Sequence, residues 1–152
     1  MRVFAAIPGL LLLAGAACRS YYRDDLEFEV RGLDFEVVWS CCLEALKTEF
    51  PLNRKGIDRG RRRIVTGWRV RPMPFGRGRR SRGVLEVLPG EGGAYEIRFH
   101  VDLESYGDMA TPLAPKEEGW EDSGQDREAE KRLLYHLRSR LSRWQRELGG
   151  GR

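Results

Sequence analysis

The feature that most constrains the fold is a strict alternation of apolar and polar residues over 95–104. One set of alternate positions is apolar and comprises Tyr95, Ile97, Phe99, Val101 and Leu103. The other set is polar or charged and comprises Glu96, Arg98, His100, Asp102 and Glu104. A period of two is typical of a strand with one face on a core and the other in water. The sequence therefore predicts an antiparallel sheet that is covered on one side only.

Two segments have the apolar spacing of helices that could cover this sheet. Apolar residues recur every three or four positions from Phe35 to about Glu49, after Asp34 as a plausible N-cap and before Pro51 as a stop. A second stripe near the C-terminus comprises Leu134, Leu137, Leu141, Trp144 and Leu148. Ser123 is expected to cap this longer helix, and the glycines at 149–151 are expected to end it.

Further strands are predicted at 26–30, 64–70 and 84–88, with Pro72 and Pro74 ending the second of them. The basic, glycine-rich stretch 75–83 is expected to be a connection, and about 105–124 a mobile loop. The predicted fold is α+β, a single antiparallel sheet of three to five strands packed against one N-terminal and one long C-terminal helix. It forms one domain over 26–149, followed by a short tail at 150–152.

The N-terminus has the three parts of a secretory signal peptide. Arg2 is basic, residues 3–13 form an apolar run, and the small residues 14–17 lead to Cys18. The apolar run is much shorter than the roughly 20 residues that span a bilayer. We therefore expect export across a membrane.

Small residues followed by Cys18 resemble the lipobox of bacterial lipoproteins. The resemblance implies that residues 1–17 are removed, that Cys18 is acylated, and that 18–25 form a tether to the domain. Arg19 stands where an inner-membrane retention signal would have aspartate, which implies the periplasmic face of the outer membrane in a didermic bacterium. Because Gly15 stands where a lipobox usually has leucine, the alternative is an ordinary signal peptide and a soluble periplasmic or secreted protein.

The order of helices and strands also resembles, in topology alone, the small helix-on-sheet domains of envelope lipoproteins such as those of the outer-membrane β-barrel assembly machinery. This second resemblance has no motif, so it implies no site residues. Fold analogy does not establish function.

The charges are strongly segregated along the chain. Residues 54–82 contain twelve Arg or Lys and one acid, whereas 86–130 contain thirteen acids and three bases. Arginine suits phosphate and carboxylate groups because its guanidinium donates paired hydrogen bonds. We therefore predict contacts with an anionic lipid or envelope protein through Arg61, Arg62, Arg63, Arg77, Arg79, Arg80 and Arg82. Export past the inner membrane argues against a nucleic-acid partner.

No catalytic or metal-binding motif is recognisable, and we predict no cofactor. Cys41 and Cys42 are adjacent, where a mutual disulfide would be strained, and are expected to be core residues. The predicted function is a lipid-anchored, non-catalytic binding or scaffold module of the cell envelope. A hydrolase that uses His100 with a nearby carboxylate is the enzymatic alternative.

Overall fold

The computed structural model describes residues 23–74, 77–107 and 119–149. Within these ranges the chain forms seven strands and two long helices. Their bounds in chain order are β1 Leu26–Val30, α1 Phe35–Glu49, β2 Ile57–Asp58, β3 Arg63–Val65, β4 Arg69–Met73, β5 Arg77–Pro89, β6 Tyr95–Tyr106, β7 Trp120–Gln125 and α2 Arg127–Gly149. The predicted signal peptide, Cys18 and the tail at 150–152 lie outside the described residues.

A long antiparallel hairpin of β5 and β6 forms the centre of the sheet. On its β6 side, β1 and β7 lie one after the other along the same edge. On its β5 side, β3 and β4 are arranged in the same way, and β2 pairs with β3. All the pairings are antiparallel. The hairpin therefore has two halves, one flanked by β1 and β3 and the other by β4 and β7.

One half of the sheet carries the core under both helices. The sheet contributes the fully buried Ile64, Leu85, Val87, Ile97, Phe99 and Val101. From the helices come Val38, Trp39, Cys42, Leu46, Leu133 and Leu137. The predicted α+β class is confirmed, with an antiparallel sheet packed against an N-terminal helix and a longer C-terminal helix. Cys41 and Cys42 are free thiols buried in α1, as expected.

The predicted three to five strands were too few, because seven are present. The basic stretch predicted as a connection pairs as β5 from Arg77 onward, with β4 on one side and β6 on the other. Cross-strand pairs of opposite charge stabilise it there, which outweighs the low strand propensity of glycine. Pro72 is accommodated because β4 is an edge strand. The predicted loop at 105–124 is shortened at both ends by β6 and β7, and 108–118 lie outside the described residues.

The start of α2 fastens it to the sheet in a way that the sequence pattern did not predict. The Asp126 carboxylate, and not Ser123, caps the helix by accepting a hydrogen bond from the Ala129 N–H at 3.0 Å. The Val101 N–H donates to the buried Glu130 carboxylate, and the Val101 carbonyl accepts from the Asp126 N–H. Val101 lies between the pairings of β1 and β7 with β6, so α2 satisfies the backbone groups that this gap would leave unpaired.

The buried stripe of α2 also differs from the predicted one. It comprises Ala129, Leu133, Leu137 and Leu141, and Leu134 packs only at its margin. The predicted stripe residues Trp144 and Leu148 are 41% and 57% exposed. The last turns of α2 therefore extend past the core that its first turns cover.

Close contact between β5 and α1 generates a test of the packing. A Cβ at Gly83 would lie 2.7 Å from Leu46 Cδ2 and 3.3 Å from Phe50 Cε2. We expect Gly83→Ala to lower the free energy of unfolding by about 1–3 kcal/mol through overpacking. Gly60→Ala, whose Cβ would meet only an ordinary contact at 3.5 Å, is the control and should change it by less than about 0.5 kcal/mol. Urea denaturation of both variants measures the difference, and equal stabilities would contradict this packing.

Candidate functional site

The arginines of β5 alternate between the two faces of the sheet extension, where β4 and β7 flank the hairpin. Arg79 and Ser81 share a face with Gly83, which approaches Leu46 of α1, so this is the side on which the helices lie. Arg80 and Arg82 point to the opposite side, which we call the open face, where they pair with Glu104 and Asp102. The seven arginines that the sequence suggested as one basic surface therefore do not form one.

Arg80 is an internal part of the open face. It is only 7% exposed, and its Nε donates a hydrogen bond of 2.6 Å to Glu104 Oε2. Its guanidinium carbon lies 4.5 Å from the ring centre of Trp68 and 4.6 Å from that of Trp120. A cation held between two indole rings and a carboxylate is stabilised by cation–π attraction as well as by the ion pair. Arg80 was expected in a basic connection, but it lies in strand β5 and is buried.

Asp102 is the most buried charge of the open face, at 3% exposure, although the alternation predicted that it would face water. Arg82 Nε donates to it at 3.0 Å, and Arg23 Nε lies 2.6 Å from its other oxygen. Burial by itself would raise the pKa of Asp102, but hydrogen bonds from His100 and Arg82 and the charge of Arg23 lower it to about 2. Asp102 is therefore a buried anion that is balanced by cations around it.

His100 bridges two carboxylates on the same face. Its Nδ1 lies 2.6 Å from Asp25 Oδ1, and its Nε2 lies 3.4 Å from Asp102 Oδ1. Partial burial lowers the pKa of His100, yet its bonds with Asp102 and Asp25 outweigh that effect and raise the pKa above its usual 6.5. Both ring nitrogens face carboxylates, whereas a general base needs one nitrogen directed at the proton that it removes.

The first described residues are bonded to the sheet where β1 and β7 meet. Arg23 pairs with Asp102 and Asp122, and Asp25 pairs with His100. The Asp24 backbone exchanges two hydrogen bonds of 3.1 Å with the Gln125 side chain. We call Arg23–Asp25 the clamped segment. The last three residues of the predicted tether are thus held against the domain.

The other predicted arginines lie far along the sheet, in the turn between β2 and β3 and on β3 itself. Arg61 and Arg63 lie within 4 Å of Asp58 and Glu86, and the guanidinium of Arg62 lies over the Phe35 ring at 5.0 Å. Arg77 is exposed at the start of β5. These positions separate Arg61, Arg62 and Arg63 from Arg77 and Arg79.

A cavity of about 220 Å³ lies on the helix side of the extension. Arg69, Arg71, Arg79 and Ser81 line it, together with Arg80, Leu103, Asp126 and Glu128. We call the first four residues the arginine groove. Sequence reasoning found Arg79 but missed Arg69, which fell in the strand predicted at 64–70, and Arg71, which follows that strand directly. Their spacing of two residues was the signal that they share a face.

The groove contains unbalanced positive charge. Arg71 and Arg79 lie directly opposite each other in the β4–β5 pairing, and neither has an ion pair within the described ranges. Arg69 Nη1 donates to the Glu49 carbonyl and carboxylate at 2.8 and 3.2 Å. Its Nε and Nη2 are buried and lack a hydrogen-bond partner in the part of the chain that the structure describes. Such donors are rare in folded proteins and call for a physical explanation.

No protein-family model matches the chain, and no curated protein matches it either. Among the helices of the described residues, none is both long enough and apolar enough to cross a membrane. The described residues also contain no group of three or more His, Cys, Asp or Glu side chains that is arranged to hold a metal ion.

The division of arginines between the two faces generates a stability test. We expect Arg80→Ala to lower the free energy of unfolding by about 1–3 kcal/mol, because it leaves Glu104 without its charged partner. Arg79→Ala, one residue earlier but directed to the other face, should change it by less than about 0.5 kcal/mol. Chemical denaturation of both variants is the measurement. A larger loss in the Arg79 variant would contradict the assigned faces.

The environment of His100 generates a test of pH dependence. Because its folded-state pKa lies above 6.5, its contribution to stability is complete below that pH and is lost as the pH rises through the raised pKa. NMR titration of the imidazole should give a pKa above 6.5, and Asp25→Asn should lower it. The chain has only two histidines, so His136→Gln identifies the signal without touching this site. A His100 pKa that is unchanged by Asp25→Asn would contradict the pairing.

Proposed function

We propose that the chain is a lipid-anchored protein of the bacterial cell envelope and that its domain is a non-catalytic binding module. The observation that supports this best is the clamped segment, which follows the signal-like N-terminus closely in the sequence. Ion pairs and hydrogen bonds hold Arg23 on the sheet, and Cys18 is only five residues earlier. An acyl anchor at Cys18 would therefore act on a fixed point of a folded domain.

The short connection limits how far the domain could move from the bilayer. Five extended residues reach roughly 18 Å, since each residue spans at most about 3.6 Å. Acyl chains stabilise membrane attachment by about 0.8 kcal/mol for each buried methylene. The domain would then work at the membrane surface, on the periplasmic face of the outer membrane if the organism is didermic.

Charge and geometry favour binding over catalysis for this domain. His100, the histidine of the enzymatic alternative, is engaged by two carboxylates. The arginine groove, in contrast, has cationic donors that the described residues do not neutralise. A surface with excess positive charge attracts anionic groups of lipids or of another envelope protein. We place the binding role on the groove and not on Arg80 or Arg82, which serve the open face.

Acylation can be tested directly by metabolic labelling with an alkyne fatty acid. We expect the wild-type protein to be labelled and the Cys18→Ser variant to be unlabelled. Cys41→Ala is the matched control, because Cys41 is buried in α1 and should not affect labelling. Mass spectrometry of the mature N-terminus should show an acylated Cys18.

Two other results of this experiment would reject the anchor. A processed but unlabelled protein would support the alternative, a soluble periplasmic or secreted protein of the same fold, for which Gly15 is the sequence argument. An unprocessed chain in the cytosol would reject export altogether.

A further inference from the structure

We infer that the arginine groove is a binding site for a terminal phosphate group, either free phosphate or a phosphate monoester. This inference deepens the proposed binding role by naming the chemistry of the ligand, and it does not require that Cys18 is acylated.

Three guanidinium groups converge on a small space. Arg71 and Arg79 are cross-strand neighbours on the same face. Arg69 lies two residues before Arg71 on β4 and therefore shares that face. Like charges placed directly opposite each other destabilise a sheet. An anion between Arg71 and Arg79 would turn this repulsion into attraction.

The two acids that line the cavity already have other partners. The Asp126 carboxylate accepts the Ala129 N–H as the cap of α2. Glu128 Oε1 accepts a hydrogen bond of 2.8 Å from Lys131 Nζ, and this bond lowers the pKa of Glu128. Neither acid forms an ion pair with the arginine groove within the described ranges. Lys131 balances Glu128, so the negative charge of Asp126 stands against the positive charges of Arg71 and Arg79.

The buried acid behind the groove is also shared. Glu49 is 8% exposed, and its Oε2 accepts from both Arg69 Nη1 and Arg132 Nε at 3.2 and 3.1 Å. One carboxylate thus faces two arginines, which leaves a surplus of at least one positive charge. The unpartnered Nε and Nη2 of Arg69 and Nη2 of Arg132 lie in this same cluster. Further anionic oxygens would balance the positive charge that Glu49 alone cannot balance.

Phosphate fits this donor set better than carboxylate does. A carboxylate has one negative charge and two oxygens, which a single arginine can satisfy through two parallel hydrogen bonds. A phosphate monoester has three terminal oxygens and a charge between −1.5 and −2 near neutral pH, which suits several arginines with the nearby Ser81 hydroxyl. The cavity of about 220 Å³ is smaller than the roughly 300–1,000 Å³ typical of sites for drug-sized ligands. It accommodates a phosphate-sized group better than a large molecule.

The same chemistry could be presented by free phosphate or by a phosphomonoester lipid headgroup. The experiment therefore titrates the purified full-length protein in detergent with four probes: inorganic phosphate, glycerol phosphate, short-chain phosphatidic acid and acetate. Calorimetry gives the affinities. Arg71→Gln with Arg79→Gln removes two cations from the groove. Arg61→Gln with Arg63→Gln is the matched control, because it removes the same charge from the other end of the sheet.

We expect the phosphate probes to bind and acetate to bind at least about tenfold more weakly. The groove variant should lose about tenfold in phosphate affinity for each arginine, the size of one charge-assisted hydrogen bond. The control variant should retain the wild-type affinity. Tighter binding of phosphatidic acid than of inorganic phosphate would identify a headgroup as the source, and the reverse would identify free phosphate; either result supports the site.

Three results would overturn the inference: equal affinity for acetate, no phosphate binding by the wild type, or full binding by the groove variant with an unchanged melting temperature. These results are separate from the labelling of Cys18. A labelled protein that binds no phosphate would support the lipid anchor and reject the phosphate site. An unlabelled protein that binds phosphate through Arg71 and Arg79 would do the opposite.

Discussion

The pairing of β5 with β6 is the interaction on which the rest of the structure depends. It joins twelve residue pairs, from Gly78 with Tyr106 to Pro89 with Tyr95. A hairpin of this length is much longer than the mean strand of five or six residues. Its apolar end supports the core under the helices, and its charged end forms the extension. The apolar end fixes the register of the hairpin. Without it, the charged end would have too few apolar contacts to specify one pairing.

Buried carboxylates join the charged parts of the molecule to this hairpin. Asp102 binds the clamped segment to the open face, Glu130 binds α2 to the backbone of β6, and Glu49 binds α1 to β4 and α2. Removing a charge from water costs several kcal/mol unless cations and hydrogen bonds surround it. Asp102 and Glu130 meet that condition with nearby arginines. Glu49 has the opposite imbalance, with more cationic donors than one carboxylate can accept.

Periodicity predicted the elements whose side chains make the core. The bounds of β1 and α1 agree with the apolar spacing, and the burial of Ile97, Phe99 and Val101 follows from the alternation in β6. Strands held by charge were not predictable in this way. In β5 from Arg77 to Gly83 and in β7, tertiary pairing overrides local composition, and no apolar period marks either stretch. Ser123 failed as a cap for the same reason, since it belongs to β7.

The site was predictable only in part, because a count of charges along the chain does not state which face each charge occupies. Four of the six residues 77–82 are arginines, yet the alternation of the strand directs Arg79 and Arg80 to opposite faces. On the open face, the acids of β6 lie opposite the arginines of β5, so the segregated charges neutralise one another. On the helix side, β6 offers only Leu103 and Ser105 at the matching positions. Arg79 and its neighbour Arg71 therefore have no acid of β6 opposite them. Because side chains alternate along the strand, the positive charges of one face are neutralised and those of the other face are not.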